Sequence, residues 1–74
     1  MGKLVGISGR AAVKAFCRAG WTVARQRGSH AILIKPGMAN LVIPMHRSVA
    51  PFLLLSQVRR AGLTEDEFLQ LLGR

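Results

Sequence analysis

Arg25, Gln26, Arg27, Gly28, Ser29 and His30 put an imidazole just past a glycine and beside two guanidinium groups. Histidine gains or loses a proton near neutral pH, while arginine keeps its charge and offers planar donors to phosphate oxygens. Chemistry on a phosphodiester needs both, a group that moves the proton and fixed positive charge for the crowded phosphorus. His30 is therefore the candidate general acid or base, and Arg25 and Arg27 are the candidate phosphate contacts. Ser29 is placed to orient either the phosphate or the imidazole. RNA suits such a site better than DNA, because each ribose carries a hydroxyl beside the linking phosphate that serves as an internal nucleophile.

Charge points to the same partner. The 74 residues include 11 Lys and Arg against 3 acids, for a formal net charge of +8. The acids are confined to Glu65, Asp66 and Glu67, so everything before them is cationic and attracts polyanions, nucleic acid foremost. Their place in the first turn of a helix gives those acids a structural role, which argues against paired-carboxylate catalysis. Cys17, His30 and His46 lack the spacing of a metal site, so no metal and no cofactor is expected. Cys17 is instead expected in the core, and a lone cysteine fits a reducing compartment. No apolar run approaches the roughly 20 residues of a membrane span, and the start lacks a signal-peptide core, so a cytoplasmic protein with no membrane partner is expected.

The elements that must position these groups can be read along the chain. One domain, residues 1–74, is expected at this length. Ser8 caps a first helix with apolar positions Ala12, Val13, Phe16 and Cys17, which Gly20 stops. Trp21 to Arg27 reads as a strand, Gly28 supplies the hairpin turn, and Ser29 to Lys35 forms the second strand. A third strand covers Asn40 to Ile43 and ends at Pro44. Pro51 opens a second helix that Gly62 stops, and Thr64 with Glu67 forms a capping box for a third helix bearing Phe68, Leu71 and Leu72. The fold class is thus α+β, a three-stranded antiparallel sheet with helices on one face in the order α-β-β-β-α-α.

Two further expectations follow from this order. The start of the second strand lies beside the end of the third, so Arg25, Arg27, His30, His46 and Arg47 should gather at one pole. His46 and Arg47 are therefore added to Ser29 and the two arginines as RNA-binding candidates. In the second strand, His30, Ile32 and Ile34 face one way and Ala31 and Leu33 the other, so both faces are apolar. A second apolar face suggests cover by a partner or by another copy of the chain.

The sequence resembles the HicA toxins, small mRNA interferases of bacterial and archaeal toxin–antitoxin pairs. The likeness rests on Ser8 and Gly9, on Ala19 to Trp21, on the RQRGSH run of Arg25 to His30, on Val42 to His46, and on Arg59 to Phe68. It implies a fold similar to the double-stranded-RNA-binding domain, endonuclease activity on mRNA that inhibits translation, and a HicB-like antitoxin that is acidic where it meets the site. The family's catalytic histidine falls on His30. One departure stands at Ala50, Pro51, Phe52 and Leu53, where many relatives carry a lysine, proline, glycine, threonine run. The bulkier start bears on the phosphate-facing surface or on dimer contacts. A non-catalytic RNA-binding module using the same basic surface is the alternative reading.

Overall fold

The computed structural model describes residues 3–73. The chain runs α1 (Gly9–Arg18), β1 (Thr22–Arg27), β2 (His30–Ile34), β3 (Leu41–Pro44), α2 (Pro51–Arg60) and α3 (Glu65–Leu72). This is the expected α+β order, and local signals account for most of its boundaries.

The Ser8 hydroxyl accepts from the Ala11 amide at 3.0 Å and so satisfies one donor of the first turn of α1. At the other end Gly20, with φ of 96°, donates to the Cys17 carbonyl while Trp21 donates to that of Phe16. That pair of bonds is a Schellman stop, and a left-handed glycine makes it inexpensive. Gly62 and Leu63 end α2 in the same way, bonding to Arg59 and Val58. The third helix opens on the reciprocal box: Glu67 N donates to Thr64 Oγ1 at 3.1 Å, and Thr64 N donates to Glu67 Oε1 at 2.8 Å. Asp66, beside it, accepts from Lys3 Nζ at 2.8 Å, which ties the start of the chain to α3 and holds the Lys3 ammonium above its usual pKa.

The sheet has the order β1-β2-β3, antiparallel throughout. Ala31 and Leu33 of β2 and Leu41 and Ile43 of β3 are buried against Phe16 of α1, Leu54 and Val58 of α2 and Phe68 of α3. The Phe16 and Phe68 rings meet with centroids 4.8 Å apart. All three helices therefore lie on one side of the sheet, and the other side is open. Trp21 is buried, in keeping with a packing role.

Cys17 departs from expectation: it is exposed, not part of the core. The buried stripe of α1 is Gly9, Ala12, Ala15 and Phe16, with Val13 only half-buried. One residue adds about 100° of helical rotation, so Cys17 falls beyond the edge of the stripe while Ala15 takes the inner position.

The two edges of the sheet are unlike. On β3, Val42 N donates to Gln57 Oε1 at 3.0 Å and Asn40 O accepts from Arg60 Nε at 3.0 Å, so α2 covers that edge with its own polar side chains. On β1 every residue is exposed, and the strand's protection against chance pairing is a bulge and its arginines.

Candidate active site and nucleic-acid interface

The β1–β2 turn has two residues, Gly28 and Ser29, with φ of 58° at Gly28 and no positive φ outside the glycines. A left-handed residue at the first central position alone is the pattern of a type II′ hairpin, whose twist matches that of the strands. The Gln26 side-chain amide donates to the Gly28 carbonyl at 3.2 Å and braces the turn.

So short a turn leaves no freedom of register. Arg27 stands opposite His30 and Arg25 opposite Ile32, while across β2 Pro44 stands opposite His30 and Val42 opposite Ile32. Residues opposite one another share a face. The open face therefore carries Arg25, Arg27 and His30, all exposed, beside Ile32, Ile34 and Val42. A bulge between Val23 and Arg25 then shifts the pairing, so that Thr22 meets Ile34 and Val23 meets Leu33. Without it Val23 would join the open face; with it the face near the two arginines keeps a polar neighbour, Thr22.

Beyond β3 the chain is pinned from two sides. Met45 N donates to the Ser29 carbonyl at 2.6 Å, extending the pairing past the strand and fixing the turn residue. The next carbonyl, of His46, accepts from Gly9 N at 2.9 Å, and Val49 N donates to Ile7 O at 2.8 Å. The segment holding His46 and Arg47 thus runs from the hairpin tip to the start of α1, with both side chains exposed. Arg25, Arg27 and His30 share one face, Ser29 lies in the turn between them, and His46 and Arg47 sit at the same end of the sheet on the crossing segment. The expected gathering at one pole is present at the level of the backbone.

Gly9 permits this docking. A Cβ on it would lie 2.1 Å from the Pro44 carbonyl oxygen and 2.8 Å from Met45 Cα, so only a glycine lets α1 reach the end of β3. Its neighbour Arg10, exposed on the first turn of α1, is brought to the same pole. Sequence reasoning missed Arg10; the Ser8, Gly9 pair ahead of it was the available signal, a cap followed by a residue with no side chain.

The acids stay away. Glu67 is used in the capping box and Asp66 by Lys3, both at the start of α3. Among the described residues no three His, Cys, Asp or Glu side chains gather as metal ligands. A concavity of about 500 Å³ lies between α2 and α3, lined by Lys3, Leu55, Arg59 and Glu65 among others, and contains none of the candidate residues. The hairpin site is instead an open cationic surface. That shape receives a chain passing over it more readily than a small molecule, which favours enclosure. Phe52, in the first turn of α2, is 80% exposed.

No helix among the described residues is long and apolar enough to cross a membrane. A comparison with curated proteins finds no match. The family model described as the HicA toxin of bacterial toxin–antitoxin systems matches residues 9–63. That span begins at the first residue of α1, contains the hairpin and the crossing segment, and ends just after the stop of α2. With most of its length matched in this way, the chain belongs to the HicA toxin family, the toxin partners of bacterial toxin–antitoxin pairs.

Proposed function

We propose that the protein is an endoribonuclease that cuts mRNA without a metal cofactor and so inhibits translation until an antitoxin binds it. The observation that carries this reading is the pairing of His30 with Arg27 across a two-residue turn, with Arg25 on the same face. The imidazole and the guanidinium groups are all solvent-exposed, as a polymeric substrate requires.

The chemistry divides between the two residue types. In its neutral form His30 takes the proton from the ribose 2′-hydroxyl as that oxygen attacks the adjacent phosphorus. The bond from phosphorus to the 5′-oxygen of the next nucleotide breaks, that oxygen takes up a proton from water, and a cyclic phosphate and a free 5′-hydroxyl result. If His30 instead begins protonated, it delivers the proton to the leaving oxygen and solvent or His46 takes the first one. Either way Arg25 and Arg27 hold the non-bridging oxygens and offset the charge that builds on them. Ser29, His46 and Arg47 are the further RNA contacts.

The same surface suits the antitoxin. Ile32, Ile34 and Val42 form an apolar strip beside the three cationic or titratable side chains. A HicB-like partner with an acidic rim and an apolar centre would cover both and shut the site. We place the toxin in the cytoplasm, where mRNA is, acting as the single domain of residues 1–74.

The test is His30→Ala. Because the side chain is exposed at a turn, the variant should fold and melt like the wild type, within about 0.5 kcal/mol. It should leave labelled mRNA intact and no longer slow growth, while wild-type cleavage persists in EDTA. Full cleavage by the variant would remove His30 from the reaction, and reversible loss in EDTA would overturn the metal-free step. A protein that only shifts RNA in a salt-sensitive way would be the binding module instead.

A further inference from the structure

The site described so far lies on the open face and its rim, yet the hydrogen bond from Gly9 to His46 attaches a second cationic element to that rim. Arg10 is the next residue, and Lys14 follows one turn later on the same exposed side of α1. Residues four apart on a helix stand one above the other. Arg18, the third in this row, is occupied with the Leu71 carbonyl at the end of α3. Arg10 and Lys14 have no ion pair or side-chain hydrogen bond among the described residues, and no acid lies on α1. Two long cationic side chains thus begin where the hairpin site ends, joined to it by the His46 and Arg47 segment.

We propose that Arg10 and Lys14 are positioning residues for the RNA substrate, gripping the phosphates on one side of the cleaved linkage while Arg25 and Arg27 hold the linkage itself. The inference rests on the ribonucleolytic reading for its substrate class, RNA, but concerns a different surface. A strand leaving His30 crosses His46 and Arg47, turns around the docked start of α1 and follows that helix. A substrate of two or three nucleotides ends before it reaches α1; one of a dozen does not. Neither residue touches the reacting atoms. Their loss therefore raises KM for long RNA and leaves kcat alone.

The experiment uses His30→Ala as the background, so that RNA survives the measurement. Fluorescence anisotropy reads the affinity for single-stranded RNA of about twelve and of three nucleotides across a salt series. Each phosphate contact contributes roughly 0.7 to the slope of log affinity against log salt for a single strand, so Arg10→Gln with Lys14→Gln should lower the slope for the longer RNA by about 1.4. Between about 0.05 and 0.2 M salt this amounts to about a sevenfold smaller loss of affinity. The slope for the trinucleotide should not change.

The control removes two charges from the opposite pole, Arg59→Gln near the end of α2 with Lys35→Gln just past β2, the latter at the cost of the Lys35 Nζ bond to the Ala19 carbonyl, and should leave both slopes as they were. An unchanged slope in the α1 pair overturns the proposal, as does an equal fall in the control pair, which would make binding a matter of net charge alone. RNA binding absent from the His30→Ala background also overturns it. If the α1 pair behaves as expected but the wild type cuts nothing, the enzymatic reading fails and the surface assignment stands.

Discussion

Gly9→Ala tests the packing on which the whole pole depends. Alanine is ordinarily the better helix residue, by about 1 kcal/mol, and the backbone of Gly9 is not left-handed, so local propensity alone predicts a gain. The surroundings predict the reverse. The added methyl would sit 2.1 Å from the Pro44 carbonyl oxygen and 2.8 Å from Met45 Cα, both backbone atoms that cannot rotate away. Reaching ordinary contact requires α1 to retreat by about 1.3 Å, which carries the 2.9 Å bond from Gly9 N to His46 O out of range. Overpacking costs about 1–3 kcal/mol and a buried amide left unpaired a similar amount, so the net loss is about 1–5 kcal/mol, centred on about 3 kcal/mol, after the helical gain. For a domain of this size the central value is about 12–24 °C in Tm, read by circular dichroism during heating. A variant that melts within about 2 °C of the wild type would refute this account of the docking. RNA cleavage measured well below the lower Tm adds a second reading. It should fall further than stability explains, because the retreat moves the His46 and Arg47 segment relative to His30.

Other outcomes are expected elsewhere in the molecule. Thr64→Ala removes one half of the capping box of α3 and should cost about 1 kcal/mol, or about 4–8 °C in Tm, with RNA cleavage at room temperature unaffected. Ile34 is 42% and Val42 41% exposed, so covering what remains of each is worth about 1 kcal/mol. Ile34→Ser with Val42→Ser should therefore lower Tm by about 8–16 °C, since more than half of each side chain is buried within the fold, and, measured well below that Tm, weaken antitoxin binding about tenfold or more by titration calorimetry; equal affinity would mean that the partner sits elsewhere.

Features built from neighbours in the chain were readable in advance. Ser8, Gly20, Gly62 and the Thr64 and Glu67 pair each act over three to five residues, and each occupies its expected place. The hairpin at Gly28 was readable for the same reason, but the opposition of Arg27 and His30 was not, since the sequence pattern places Ser29 in the second strand and the structure places it in the turn. Long-range contacts were not. Gly9 reads as part of a turn until the end of β3 is seen against it, and Gln57 and Arg60 read as solvent-facing until they are found bonded to β3. Cys17 shows the limit of periodicity, because a stripe two residues wide has an edge that a single step crosses. Arg10 combines both difficulties: its helix was evident, but its nearness to the hairpin depends on a hydrogen bond between residues far apart in sequence.

The difference between the two borders of the sheet governs how copies of this toxin can associate through their strands. With Gln57 and Arg60 occupying one border, a newcomer can align only along Thr22–Arg27. The bulge and the arginines oppose pairing there, and two copies that did pair would leave neither with a free strand border, so such an assembly would stop at two.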